Sequence, residues 1–410
     1  LVRHEALERT MTQTEAQPAF TLFGEEMAQN PYPMYAALRA GSPVTPLQMP
    51  GLWAVACYDD VMNILRDPET FSSVVSAAAL AGEPPTPSMI FNDPPMHTRL
   101  RGLISKAFTP RMVELQRPAI EAYCQRLVDR MLEKETADFV AELAYPLPIM
   151  VIANMLGVAD GDHATFKRWS DAIIENVGAS LIAGETGALD EINAEFDDYF
   201  RARLEKLRRE PEDNLLSGLV HAETEDGKLS EADLLVICRV LLVAGNETTT
   251  GLIVNSIRVL SEFPEIMTRV KDDLDLVPAA IEEILRYYAP FQATFRRATR
   301  DVEVHGVTIP KDNRLVVLLA SANRDETVFE RADEVVIDRD PNRHVSFGMG
   351  IHYCLGAPLA RLEGSIALRT LLPRINRVEI TDTDGGALLR PGGPKALQVR
   401  FELDRAAAPA

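Results

Sequence analysis

Cysteine is scarce: Cys57, Cys124, Cys238 and Cys354 are the four in 410 residues, and none forms a Cys-x-x-Cys pair. That spacing excludes zinc clusters, iron–sulfur clusters and a disulfide framework, and with them a fused ferredoxin or iron–sulfur reductase module. No apolar run approaches eighteen residues, so no membrane span is expected. The first ten residues are charged and lack a signal-peptide core; Met11 reads as the natural start, and a cytoplasmic location is expected. Positive charge is in deficit. Lys and Arg number 42 against 61 Asp and Glu, a formal charge of −19, which disfavours nonspecific binding to nucleic acid or anionic membranes. βαβ alternation and a dinucleotide fingerprint are also missing, so no nicotinamide-binding domain is expected. Neither internal repeats nor low-complexity tracts occur. Against these absences stand 46% apolar and 25% charged residues, an ordinary balance that supplies a large core.

Periodicity predicts a mainly helical chain with small sheets, an α+β class. Residues 1–19 are polar and unpatterned and read as a loose tail. A short helix is expected from Pro31 to Ala40, a hairpin around Pro50-Gly51, and a helix from Asp59 to Arg66. Between Pro68 and Pro95 the period is lost, which marks a functional or mobile loop. Helices are predicted over most of 111–133, 147–156, 162–183 and 188–209, with a break at Gly184–Gly187. Ser230 and Asp233 have capping-box spacing and open a helical pattern that runs to about Phe263. Helices near 264–273 and 277–288 follow, then strands over Val302–Ile309, with a turn at His305-Gly306, and Leu315–Leu319. Residues 325–346 are irregular; a helix runs from behind Cys354 to about Leu372, and short strands close the chain. Cys57, Cys124 and Cys238 read as core residues.

Four constellations can carry chemistry. The first is Phe347-Gly348-Met349-Gly350-Ile351-His352-Tyr353-Cys354-Leu355-Gly356. Its glycines permit a sharp bend or a close approach, and Cys354 stands at the mouth of a helix, whose open N–H groups favour a thiolate. By itself the stretch is either such a loop or a glycine-rich turn around a structural cysteine. The second is Ala244-Gly245-Asn246-Glu247-Thr248-Thr249, inside the long helix. Gly there costs about 1 kcal/mol relative to Ala. The segment either leaves room for a ligand beside an acid and a hydroxyl, or serves a helix crossing with Thr hydroxyls bonded back to the previous turn. The third is Glu283-x-x-Arg286, either a surface pair worth a few tenths of a kcal/mol or part of a larger network. The fourth is a scattered set of cations: His97 and Arg101 on one helix face, Arg296, and His352.

The spacing Phe-Gly-x-Gly-x-His-x-Cys-x-Gly with a helix behind it resembles the haem-ligand loop of the cytochrome P-450 family, and the order of elements is similar over about 20–405. The resemblance implies one domain there, with a long helix over haem b and a β-rich minor region. It implies Cys354 as the axial iron ligand, its sulfur bonded by the N–H groups of Leu355 and Gly356. Phe347, Gly348, Ala244 and Gly245 would border the haem, with the glycines letting the backbone approach the porphyrin. Arg101, Arg296, His352 and His97 would hold the propionates. Glu247 and Thr248 would relay protons to dioxygen, while Glu283, Arg286 and Arg339 would brace the cysteine loop. The implied activity is monooxygenation of a hydrophobic molecule of fatty acid, terpenoid, steroid or polyketide-like type. Electrons would come from a ferredoxin and an NAD(P)H-dependent ferredoxin reductase. A basic docking patch is expected from Arg339, Arg343, Arg361 and Arg369. The substrate pocket is expected from Val74, Val75, Leu80, Met89, Ile90, Phe91, Phe291, Ala293 and the helix face at Leu241–Thr248. A peroxide-driven peroxygenase and a non-catalytic haem sensor are alternatives on the same fold. A cysteine hydrolase using Cys354 and His352 is the alternative outside it, although residues two apart on a tight loop rarely place imidazole on thiol.

Overall fold

The computed structural model describes residues 27, 29–75, 89–183, 190–224, 227–383 and 393–404, without the side chains of 160, 174–183 and 224. The expected tail 1–19, the break at Gly184–Gly187 and the pocket candidate Leu80 lie outside the described residues. In chain order the helices are α1 (Tyr32–Gly41), α2 (Tyr58–Arg66), α3 (Met96–Ala107), α4 (Pro110–Leu115), α5 (Arg117–Leu132), α6 (Pro146–Met155), α7 (His163–Ala183), α8 (Asp190–Arg209), α9 (Leu215–His221), α10 (Glu231–Glu262), α11 (Pro264–Asp272), α12 (Val277–Tyr287), α13 (Leu319–Ala322) and α14 (Ala357–Leu371). The strands are β1 (Val44–Pro46), β2 (Leu52–Val55), β3 (Phe71–Ser72), β4 (Thr136–Asp138), β5 (Glu223–Thr224), β6 (Gly227–Lys228), β7 (Thr294–Ala298), β8 (Val302–Val304), β9 (Val307–Ile309), β10 (Arg314–Val317), β11 (Ile375–Thr383) and β12 (Leu397–Leu403).

α10 is the axis of the molecule. Its start is fixed by a reciprocal capping box: the Ser230 hydroxyl accepts from the Asp233 N–H at 3.1 Å, and the Asp233 carboxylate accepts from the Ser230 N–H at 2.9 Å. With 32 residues it spans about 48 Å at 1.5 Å per residue. Among the described residues it is the one helix long and apolar enough to cross a membrane, with a mean hydropathy of 1.3. In this fold α6, α7, α8, α11, α12, α14 and β11 pack around it instead, and Leu252, Ile253, Val254, Ile257, Val259 and Leu260 are buried there.

The strands form a side layer. The five-stranded sheet has the order β1-β2-β10-β7-β3, with β10 parallel to β2 and antiparallel to β7. Its register sets Leu315 opposite Trp53 on one side and Arg296 on the other. A second sheet has the order β11-β12-β4. The β8–β9 hairpin turns at His305 and Gly306, both with positive φ, 51° and 74°, as a two-residue hairpin loop requires.

Several elements depart from expectation. β3 lies inside the stretch read as a loop, and β4, α9 and β7 are additional. β3 and β4 have two and three residues, too few to display a period. β7, Thr-Phe-Arg-Arg-Ala, carries charge where strands usually alternate, because Arg296 points inward at 6% exposure. Residues Val140–Ala144 form a π turn that carries the chain into α6. Cys124 and Cys238 are buried as expected, whereas Cys57 is half-buried at the N-cap of α2.

Candidate functional site

The loop from Phe347 to Gly356 closes on itself. The Cys354 N–H donates to the Phe347 carbonyl at 2.9 Å, and the Gly348 N–H to the Val345 carbonyl at 2.8 Å. Gly348 and Gly350 have φ of 69° and 71°, a conformation in which a Cβ is strained. At Gly350 a Cβ would also overlap the Leu65 carbonyl oxygen at the end of α2. This glycine therefore permits the loop to pass against the protein's own backbone, which corrects the expectation of a ligand-facing role for Gly350. Gly350→Ala is expected to cost at least about 1–3 kcal/mol, read as a lower denaturation midpoint.

α14 begins at Ala357 with Gly356 as a cap that offers no side-chain bond. The amides that lower the Cys354 thiol are those of Gly356, as expected, and Ala357, while Leu355 is not among them. Burial pushes the Cys354 thiol up; the Gly356 amide, Arg101, the Ala357 amide and Arg361 act against it without reversing it. The amides at the helix mouth thus act toward the thiolate as expected, but burial outweighs them. A sulfur with this much of its surface covered is held ionised where a cation meets it.

Three elements bring the four expected cations together. His97 and Arg101 come from α3, Arg296 from β7, and His352 from the turn before Cys354. The rings of His97 and His352 lie 4.3 Å apart, and a His352 ring nitrogen is 2.9 Å from the Ser73 hydroxyl. His97 is 2% exposed, and neither of its ring nitrogens has a well-formed hydrogen bond among the described residues. The Arg296 guanidinium donates to the Phe295 carbonyl at 2.7 Å and the Thr294 hydroxyl at 3.4 Å. Burial lowers all four; Arg296 falls to about 10. His352 is pushed to about 3, by burial and then by Arg296, His97 and Arg101. Asp93 offsets this for Arg296 and His97, but its carboxylate already accepts from the Ser72 hydroxyl at 2.6 Å and the Ser73 N–H at 2.8 Å. Among the described residues no carboxylate pairs directly with the four. The charge of the two arginines, and of the imidazoles if they are protonated, is stabilised by an anionic ligand.

On α10 the expected residues divide. Ala244 is exposed and Thr248 lies one turn on, its hydroxyl donating to the Ala244 carbonyl at 2.7 Å while its oxygen can still accept. Glu247 is half-buried, and burial raises its carboxyl. Gly245 does not join them: a Cβ there would sit 2.8 Å from Ile152 Cδ1, so this glycine accommodates α6. Asn246, which sequence reasoning passed over, is fully buried and donates to the Ser170 hydroxyl at 3.0 Å, while the Thr250 hydroxyl donates to its oxygen at 3.3 Å. An amide in mid-helix was the available signal. A mostly apolar cleft between α3 and the first half of α10 is lined by Met89, Leu100, Ile104, Val240, Leu241 and Leu355, with Asp233 at its margin. The expected pocket residues Ile90, Phe91 and Phe291 are 39%, 41% and 43% exposed, unusual for side chains of this kind. Val74, Val75 and Ala293 are half-buried.

Behind the loop, Glu283 and Arg286 are completely buried and joined by two bonds of 2.8 Å. Arg286 also donates to the carbonyls of Asn323, Ala332 and Glu334. Glu283 accepts from the Val336 N–H at 2.7 Å, Arg339 at 3.2 Å and Asn342 at 3.2 Å. Asn323, which the sequence did not single out, carries this frame forward. It accepts from the Val345 N–H and donates to Ser346, both at 2.7 Å, directly before the glycine loop. The expected docking patch is accordingly narrower. Arg339 is 8% exposed and turned into this network, and Arg361 is paired with Glu282. Arg343 remains exposed, and Arg369 lies 3.7 Å from Asp275.

The family model described as Cytochrome P450 matches residues 48–384. The chain belongs to the cytochrome P450 family. It is similar to Cytochrome P450 109 of Bacillus spizizenii, 41% identical over 358 residues, 87% of each chain. The structure resembles cytochrome P450 CYP109Q5 from Chondromyces apiculatus, with a TM-score of 0.84 and 40% identity over 93% of this chain and 97% of that one. It also resembles CYP109E1 from Bacillus megaterium in complex with testosterone, with a TM-score of 0.81 and 35% identity over 90% and 99%. The mainly helical architecture with small sheets is the P450 fold, and the protein is a cytochrome P450 monooxygenase. The family implies a haem cofactor with a thiolate ligand. The residues present suit such a group: a half-buried thiol at a helix mouth that can ligate a metal, and the arginines Arg101 and Arg296 with the imidazoles of His97 and His352, all donors to carboxylates.

Proposed function

We propose that this P450 is a haem-thiolate monooxygenase of a hydrophobic small molecule, acting in the cytoplasm, with Cys354 as ligand to the iron of haem b. Arg101, Arg296, His352 and His97 would hold the propionates, and Phe347, Gly348 and Ala244 would border the ring. The observation that carries the reading is the pairing of a half-buried cysteine sulfur at the mouth of α14 with a cluster of two arginines and two imidazoles, Arg101, Arg296, His97 and His352, that no carboxylate pairs directly among the described residues. Haem supplies the iron at which dioxygen is activated. The chain's own residues bind and orient it, keep water from the cleft and deliver protons.

Glu247 and Thr248 are the proposed proton carriers. Burial favours the protonated form of Glu247, the form a donor needs, and the Thr248 oxygen can accept while its proton rests on the Ala244 carbonyl. Thr248→Ala is expected to lower product formed per dioxygen consumed on the order of 10²-fold, with dioxygen uptake persisting. Simultaneous oxygen-electrode and product assays read this. Unchanged coupling would remove Thr248 from the relay, and a haem sensor would be indifferent to the change.

The cleft residues are apolar apart from its margin, which supports a substrate recognised by shape and apolar area. A steroid of the kind bound by CYP109E1 fits this description, as do fatty acids, terpenoids and polyketide-like molecules. We assign electron supply to a ferredoxin and its NAD(P)H-dependent reductase. The test is reconstitution: ferredoxin, reductase and NAD(P)H should support turnover of an apolar substrate that shifts the haem spectrum. Turnover with hydrogen peroxide alone, at equal or higher rate, would assign a peroxygenase instead.

A further inference from the structure

On α12, Glu282 stands next to the buried Glu283 but serves a different partner. Its Oε1 accepts from Arg361 Nε at 2.6 Å, and its Oε2 accepts from Arg361 Nη2 at 2.8 Å and from His344 Nε2 at 3.0 Å. The other His344 nitrogen lies 3.3 Å from the Ser346 N–H. Arg361 lies on α14, two helical turns past Cys354. Its guanidinium stacks 4.5 Å from the centre of the Phe347 ring and reaches the Tyr353 hydroxyl at 3.4 Å. His344 and Tyr353 flank the same ring at 6.0 and 6.4 Å. Phe347 in turn supplies the carbonyl that takes the Cys354 N–H. Burial acts to raise the Glu282 carboxyl, yet Arg361 and His344 hold it down at about 2. The pair is therefore ionised throughout the working range, with a planar bidentate geometry that fixes the guanidinium.

We infer that Glu282, His344 and Arg361 form a clamp that positions Phe347 against the cysteine loop and sets the positive field acting on the Cys354 sulfur. Arg361 is then a positioning residue and not a docking arginine. The inference rests on the haem-thiolate reading. A positive charge near the sulfur opposes its donation to iron and favours the reduced state; the Glu282 carboxylate partly cancels that charge while fixing its place.

The test is a mediated redox titration of the holoenzyme, which needs no electron-transfer partner. Wild-type protein first gives the carbon monoxide difference band of thiolate ligation; without that band the haem-thiolate reading fails, and with it the clamp question becomes separate. Arg361→Gln is expected to lower the midpoint potential by about 59 mV, a tenfold shift of the one-electron equilibrium. Glu282→Gln is expected to raise it, and Arg361→Lys, which keeps the charge, to stay closer to wild type than Arg361→Gln. Shifts of opposite sign support the clamp, since a general loosening of the loop would move both variants the same way. Potentials within threefold of the wild-type equilibrium, shifts of one sign, or a changed KM for ferredoxin at constant potential would each overturn it. Should Arg361→Gln fail to retain haem, Glu282→Gln decides alone: a rise supports the clamp and no change overturns it.

Discussion

Cys354→Ser is expected to abolish the thiolate-type carbon monoxide band and to cut substrate oxidation by at least about 10²-fold, since even outer-shell changes around a metal cost 10–100-fold. The loop itself should survive. Its closing bond runs from the Cys354 backbone to the Phe347 carbonyl, and its bend is set by Gly348 and Gly350, none of which involves sulfur. A hydroxyl is slightly smaller than a thiol and does not ionise under these conditions, so the change isolates the ligand's electron donation from the shape of the loop. The other thiols are poor substitutes. Burial pushes Cys124 to about 11 and Cys238 to about 12, both inside helices, and pushes Cys57 to about 11 at the start of α2. Serine at any of these three should leave the band in place. Spectra of the reduced, carbon monoxide-treated proteins at equal haem content provide the measurement. A Cys354→Ser protein that keeps the wild-type band would refute the assignment of this residue.

What could be read from the chain alone was chiefly local chemistry. The capping box at Ser230 and Asp233 is written in adjacent residues and forms as expected. So does the two-residue turn at His305-Gly306, because backbone strain there depends on residue type and little else. The glycine spacing around Cys354 is legible for the same reason. Facing is harder. Ala244 and Thr248, four apart, share one side of α10, whereas Gly245 is rotated by roughly 100° per residue, toward Ile152. Which side meets a ligand and which meets α6 depends on how α10 is turned in the bundle, and that is settled by packing far along the chain. Arginine is hardest of all. Arg339 and Arg361 look like surface charges in sequence, yet their long stems reach Glu283 and Glu282 from other elements. Asn323 carried no pattern at all; its role exists because the turn after α13 meets the segment before the glycine loop.

That frame gives the largest expected effect on stability. Glu283→Gln keeps the size of the side chain but leaves Arg286 with its charge fully buried and no carboxylate against it. Breaking a buried pair by removing one partner typically costs about 3–5 kcal/mol, a large part of the ~5–15 kcal/mol by which folded domains are stable. Gln can still accept one bond from Arg286 or from the Val336 N–H, but its amide hydrogens would face the guanidiniums of Arg286 and Arg339. The loss should not stay local. Arg286 bonds the Asn323 carbonyl, Asn323 holds Val345 and Ser346, and Val345 receives the Gly348 N–H, so loosening of Arg286 is transmitted to the loop that presents Cys354. Denaturant unfolding followed by tryptophan fluorescence, alongside haem retention, measures both consequences. The double variant Glu283→Gln/Arg286→Met should be less destabilised than the sum of the two single changes, because it leaves no unpaired guanidinium at this position. Arg339 then becomes the informative residue. It donates to the same carboxylate from a side chain 8% exposed and also bonds the carbonyls of Glu330 and Arg331, so it can relax toward solvent where Arg286 cannot. Arg339→Gln should therefore cost less than Glu283→Gln. If Glu283→Gln unfolds within about 1 kcal/mol of wild type, well below the range for a broken buried pair, the frame is not what holds the loop.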